Sequence, residues 1–79
     1  MEIKILGTGC PKCKRLEEVT REAVALAGVE ATITKVTDIG AIMAYSILST
    51  PGLVINEEVK AAGRIPSKEE IAAWLREAQ

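Results

Sequence analysis

The chain has no histidine, and its 79 residues include only two cysteines and two aromatic side chains, Tyr45 and Trp74. Each scarcity removes a class of function. Without histidine, a tetrahedral zinc site can draw only on Cys10 and Cys13, and the remaining pair of soft ligands would have to come from a second subunit. Two cysteines are too few for a secreted fold stapled by several disulfides. A single bridge across so short a loop would also remove little entropy from the unfolded chain. Two aromatics and no stripe of Lys and Arg leave neither stacking platforms nor a basic surface for nucleic acid. The cluster Lys12, Lys14 and Arg15 is too small to make one. No apolar run is long enough to cross a membrane, and the N-terminus reads as a charged strand rather than a signal peptide. Nucleic acid and membrane are therefore not expected partners, and cytoplasmic residence is expected. Internal repeats, linkers and low-complexity stretches are lacking too.

What is present is the composition of a small globular protein. Hydrophobic residues make up 48% of the chain and charged ones 27%, with a formal net charge of -1. Disorder does not fit those values. A chain of this length forms one domain, residues 1–79, and must bury most of its apolar side chains in a single core to offset its conformational entropy.

Residues 2–6, Glu-Ile-Lys-Ile-Leu, read as a strand, and Gly7, Thr8 and Gly9 as a turn. From Pro11 the positions Cys13, Leu16, Thr20, Ala23, Val24 and Ala27 recur at three and four, which predicts an amphipathic helix stopped at Gly28. Glu17, Glu18, Arg21 and Glu22 fall on its other face, where pairs of Glu17 or Glu18 with Arg21 have compatible spacing and a solvated surface is expected. Residues 30–36 are rich in β-branched side chains and predict a strand parallel to the first. Asp38 offers an N-cap to a short second helix with Ile39, Ile42, Met43 and Ile47 or Leu48 on one face, weakened by Gly40. Pro51 heads a third strand, Asn56-Glu57 forms a hairpin tip, and residues 59–62 form the partner strand. Ser67 and Glu70 form a capping box that starts a last helix, with Ile71, Trp74, Leu75 and Ala78 facing the sheet. Met43 and Trp74 are expected in the core because each lies on an apolar helical face.

Cys10-Pro11-Lys12-Cys13 falls where the first strand runs into the first helix. A thiol attacks a disulfide only as the thiolate, so something must lower its pKa. Pro11 suits the first helical position, where its missing N–H costs nothing, and this places Cys10 at the helix N-terminus. There unpaired N–H groups, the positive end of the helix dipole and the charges of Lys12, Lys14 and Arg15 favour an anion. Cys10 is thus expected as the nucleophile. Cys13 lies on the same face one turn deeper and is expected as the buried resolving thiol. Lys12, between them, is expected to tune the balance between reduced thiolate and disulfide. A structural disulfide, a pair of inert core thiols and half of a metal site are the other readings of the same pair.

The order β, α, β, α, β, β, α, with Cys10-Pro11-Lys12-Cys13 on the first βα turn and Thr50-Pro51 opening the third strand, resembles the thioredoxin fold. More narrowly, the chain is similar to small single-domain thioredoxin-like or glutaredoxin-like redox-active disulfide proteins, over essentially all 79 residues. The resemblance implies an α/β, thioredoxin-like fold with a four-stranded mixed sheet and three helices. It further implies a thiol-disulfide oxidoreductase whose only redox group is the Cys10–Cys13 disulfide, with no cofactor. The expected partners are a disulfide-containing protein or small-molecule substrate and a separate thiol reductase, and a monomer is expected. By the resemblance, Pro51 follows a cis peptide bond beside Cys10, and the Thr50 backbone pairs with a bound thiol chain. Gly63 matches a position where the backbone passes close to the active-site helix; a plain strand-end turn is compatible with it. The chain also departs from these families. Thioredoxins usually carry a Trp before the first cysteine and a buried acid on the preceding strand, where this chain has Gly9 and Lys4. Glutaredoxins usually show a Gly-Gly pair after the hairpin and a Lys before the motif, where this chain has Gly63-Arg64 and Leu6-Gly7-Thr8-Gly9.

Two further functions use the same cysteines. Gly7-Thr8-Gly9-Cys10-Pro11-Lys12-Cys13 locally resembles the Gly-x-x-Cys-x-x-Cys loop of small metallochaperones, which implies a carrier of copper(I), zinc or another thiophilic metal on Cys10 and Cys13. Two thiolates suit linear copper(I) better than zinc, but those carriers order their elements β, α, β, β, α, β. A redox-gated interaction module would need the same residues and no turnover.

Overall fold

A computed structural model describes residues 1–47 and 49–78. Seven elements follow one another: β1 (Glu2–Leu6), α1 (Pro11–Ala27), β2 (Thr32–Val36), α2 (Ile39–Met43), β3 (Gly52–Ile55), β4 (Glu58–Ala62) and α3 (Lys68–Glu77). The strands form one mixed sheet in the order β2-β1-β3-β4, with β1 parallel to β2 and antiparallel to β3, and β3 antiparallel to β4. This is the thioredoxin-like architecture that the element order implies, with three helices.

Alternation along β1 explains how the sheet is covered. Ile3 and Ile5 point to one face and join Leu16, Val19 and Ala23 of α1, Leu53 and Ile55 of β3, and Ile71, Ala72 and Leu75 of α3 in the main core. Leu6 points to the other face, where Val54 and Ile42 of α2 form a smaller cluster with Val36, Tyr45 and Ile47 around it. Lys4 lies on this second face. Its ammonium donates to Tyr45 Oη at 2.9 Å and pairs with Glu57 at 2.6 Å and Glu2 at 3.3 Å. The Glu57 and Tyr45 hydrogen bonds hold that ammonium protonated well above the ordinary lysine range.

The ends of the elements follow local chemistry. Gly28 closes α1 at φ 68°, donating to the carbonyls of Val24 and Ala25, a left-handed conformation natural to glycine. Asp38 caps α2 by accepting from Ala41 N–H at 2.9 Å. Asn56 and Glu57 both take positive φ, 49° and 68°, at the hairpin tip between β3 and β4. Ser67 and Glu70 form the reciprocal capping box of α3.

Several details differ from the sequence reading. The second strand starts at Thr32 rather than residue 30, and β4 starts at Glu58. Val19 and Ala72 are buried although neither was on the expected apolar faces. Met43 is corrected from core to surface: it is 66% exposed, and Ile39 is 62% exposed. A five-residue helix has too little length to bury a full stripe, and only Ile42 reaches the sheet. Ile47 lies beyond the end of α2, and Leu48, its alternative on that face, lies outside the described residues. Trp74 is half-buried against the main core, with the Arg64 guanidinium 6.0 Å from its ring centroid.

Candidate active site

The pairing of Leu6 with Gly52 brings the segment leaving β1 and the segment entering β3 to the same end of the two central strands. Thr8 of the first segment and Ser49 and Thr50 of the second line one groove there. Cys10 is the N-cap of α1, with extended backbone (φ -66°, ψ 164°), and Pro11 occupies the first helical position. The Cys10 carbonyl accepts the Lys14 N–H at 3.1 Å, the first bond of the helix. Its sulfur takes the capping role usually filled by a side-chain oxygen: Cys13 N–H donates to Cys10 Sγ at 3.3 Å.

This arrangement makes the two thiols unequal. Hydrogen bonding from the Cys13 thiol and backbone, followed by the Lys12 backbone N–H, lowers the Cys10 pKa below the ordinary thiol value. Burial, followed by the hydrogen bond that Cys13 makes to Cys10, raises the Cys13 pKa. Cys10 is partly exposed and Cys13 is only 5% exposed; both are free thiols. The leading influences on Cys10 are thus hydrogen bonds at the helix terminus, with Lys12 acting through its backbone rather than its side chain.

Gly7 is a site residue that the sequence reading treated only as part of a turn. A Cβ there would fall on Cys13 Sγ and come within 3.1 Å of the Cys13 Cβ, so only glycine leaves room for the buried thiol. Its N–H donates to the Val36 carbonyl at 3.0 Å, which fixes the start of the loop to β2.

Thr50-Pro51 is a cis peptide bond, as the resemblance implies. Pro51 is fully buried, and its carbonyl accepts the Gly63 N–H at 2.8 Å. Gly63 has φ 76°, and a Cβ there would meet Ser49 Cβ at 2.8 Å. The close approach expected at Gly63 is therefore against the segment before Pro51 and not against the active-site helix. Ile39 and Met43, with Thr8, Ile47, Ser49 and Thr50, line an open groove of about 280 Å³. The exposed apolar side of α2 thus borders the cysteine loop, a juxtaposition that only the tertiary structure supplies.

A second, smaller cleft of about 110 Å³ lies on the α1 side of the sheet, with Gly7, Cys13, Lys14, Glu17, Lys35 and Thr37 among its walls. Glu17 is corrected from a solvated helix face to a half-buried position: its side chain is 18% exposed and pairs with Arg21 at 2.8 Å and Lys35 at 3.5 Å. Glu18 pairs with Arg15 rather than Arg21. Among the described residues, no group of three or more His, Cys, Asp or Glu side chains could hold a metal ion. No described helix is long and apolar enough to cross a membrane.

The sequence profile of the family described as Thioredoxin domain matches residues 1–76. A thioredoxin of Methanothermobacter thermautotrophicus is 42% identical over 75 residues, which cover 95% of this chain and 97% of that protein. A thioredoxin of Methanocaldococcus jannaschii is 42% identical over 74 residues, covering 94% of this chain and 85% of that protein. Thioredoxins exchange disulfides through a cysteine pair and need no cofactor beyond it, and nothing in the fold or the comparisons favours the metal-carrier alternative. With its paired thiols at the head of α1 and its likeness to these relatives, the chain belongs to the thioredoxin domain family and with it to the thiol-disulfide oxidoreductases.

Proposed function

We propose that Cys10 is the nucleophile and Cys13 the resolving thiol of a dithiol-disulfide exchange carried out by a single thioredoxin-like domain, residues 1–79. The observation that carries this reading is the inequality of the two thiols. Cys10 is the more accessible and the better stabilised as an anion, while Cys13 is buried and held protonated. The Cys10 thiolate attacks a substrate disulfide, expels one half as a thiolate and forms a mixed disulfide. Cys13 then gives up its proton and attacks the Cys10 sulfur, releasing the second half as a thiolate and leaving a Cys10–Cys13 bridge. Pro11 starts the helix that supports the thiolate, and Lys12 biases the potential through its backbone N–H.

Thr50, positioned by the buried Pro51 and by the Gly63 N–H bond to the Pro51 carbonyl, forms the substrate-facing wall. The Thr50 backbone offers hydrogen bonds to an extended chain beside the reacting sulfur, in the manner of an added strand, and the groove at Ile39 and Met43 receives its apolar side chains. A disulfide-containing protein suits this surface, although small disulfides can reach Cys10 as well. A separate thiol reductase returns the bridge to the dithiol. The protein works as a monomer in the cytoplasm, where the pair rests reduced.

The test is a pair of variants challenged with a protein disulfide. Cys10→Ser is expected to abolish turnover, and Cys13→Ser to accumulate a mixed disulfide on Cys10 that non-reducing mass spectrometry detects. Accumulation on Cys13 in the Cys10→Ser variant, with none on Cys10 in the other, would reverse the assignment.

A further inference from the structure

The resolving step needs a destination for a proton. Cys13 is buried and its thiol is protonated at neutral pH, yet it must attack as a thiolate. β1 offers no carboxylate for this: Lys4 occupies the opposite sheet face, and Glu2 is engaged with it there. The nearer acid comes from the active-site helix itself. Glu17 is four residues after Cys13, so the two side chains stack one turn apart, with Cβ atoms about 5–6 Å from each other. Both border the cleft of about 110 Å³, together with Lys14, Lys35 and Thr37. That volume has room for water, and the polar ends of Glu17, Lys14, Lys35 and Thr37 give it hydrogen-bond partners on an otherwise largely apolar lining.

We infer that Glu17, held over the cleft by Lys35 of β2 and Arg21 of α1, is a positioning residue that takes the proton of Cys13 through cleft water during resolution. The inference rests on the assignment of Cys13 as the resolving thiol. In the step, the Cys13 S–H bond breaks as its sulfur attacks Cys10 Sγ. The Cys10–Cys13 bond forms, the bond from Cys10 to the substrate breaks, and the electron pair leaves on the substrate sulfur as a thiolate. The proton passes through water to the Glu17 carboxylate and from its exposed edge to solvent. When a reductase opens the bridge, the same route returns a proton to Cys13.

The charged groups facing Glu17 are Arg21 and Lys14 from its own helix and Lys35 from the strand beneath. Hydrogen bonding to Arg21, with Lys35 in support, holds its carboxyl below the usual carboxylate range. Glu17 therefore stays ionised near neutral pH and serves as a relay rather than a proton store. Its contribution to resolution is present above that depressed pKa and is lost as pH falls through it.

The experiment uses the reduced full chain with one equivalent of Ellman's reagent in a stopped-flow instrument. Attack by Cys10 releases the first thionitrobenzoate, and resolution by Cys13 releases the second. Glu17→Gln is expected to leave the first phase and the unfolding temperature unchanged, and to slow the second phase about a hundredfold at about pH 6, the low side of the usual effect of a positioned proton carrier. Glu17→Asp, which keeps the carboxylate, is expected to recover most of the second phase. Equal second phases in the wild-type and Glu17→Gln proteins would overturn the inference while leaving the thiol assignment intact. So would slowing of both phases with a lowered unfolding temperature, or an absence of recovery in Glu17→Asp. A wild-type protein with no second phase would remove the thiol assignment, and the inference with it.

Discussion

At the scale of single residues, the site depends on two positions, a cysteine that both caps a helix and reacts and a glycine that only leaves room. Cys10 substitutes a sulfur for the usual capping oxygen, so the bond that starts the helix also stabilises the thiolate. Opposite shifts of the two thiols give a pH signature. In the reduced protein, the lowered pKa of Cys10 contributes stability above the ordinary thiol value of about 8.5, and that contribution is lost as pH falls through the folded-state value. The raised pKa of Cys13 contributes below the ordinary value and is lost as pH rises through its own. Alkylation rates resolved by mass spectrometry should therefore rise for Cys10 at lower pH than for a free cysteine, and for Cys13 only at higher pH. Matching profiles would contradict the asymmetry. Gly7 is the second such position. Gly7→Ala places a methyl on Cys13 Sγ and is expected to cost roughly 1–3 kcal/mol, read as a lower urea midpoint in the reduced protein. An unchanged midpoint would mean that the loop yields without cost.

At the scale of elements, each helix is specified by its ends as much as by its apolar face. The α3 capping box satisfies two N–H groups reciprocally, Glu70 N–H to Ser67 Oγ at 3.1 Å and Ser67 N–H to Glu70 Oε1 at 3.3 Å. Ser67→Ala should cost about 1 kcal/mol and lower the melting temperature by roughly 4–8 °C, without changing the redox potential, because α3 packs into the main core cluster, which includes neither cysteine. A changed potential would show that α3 reaches the site. These ends were legible in the sequence because caps are local: Pro11, Gly28, Asp38, Asn56 and Ser67 act through neighbours within a few residues. The Cys10–Cys13 pair was legible for the same reason. Met43 was misjudged because periodicity identifies an apolar face but not whether anything covers it. Glu17 and Gly7 escaped notice for a different reason. The spacing of Glu17 from Cys13 was visible, but Lys35 reaches it only through the register of β2 on β1, and the crowding at Gly7 exists only once α1 is packed on the sheet.

At the scale of the whole molecule, the fold brings together groups that the chain keeps far apart. The antiparallel pairing of β1 and β3 sets Pro51 near the cysteine loop some forty residues earlier. The Gly63 N–H bond to the Pro51 carbonyl then ties the end of β4 to the same corner. One face of the sheet carries α1, α3 and the main core, which hold Cys13 rigidly. The other carries only the short α2, whose uncovered Ile39 and Met43 border the reactive corner. Rigid support beneath the thiols and an open apolar surface beside them are what disulfide exchange with another chain requires. The most direct test of this account is an equilibrium titration of the metal-free protein against a defined thiol-disulfide buffer, with free thiols alkylated and counted by mass spectrometry. The account predicts a single two-electron transition between the dithiol and a Cys10–Cys13 bridge at roughly -180 to -270 mV. Two thiols that remain free under oxidising buffer, or that pair only between molecules, would contradict it.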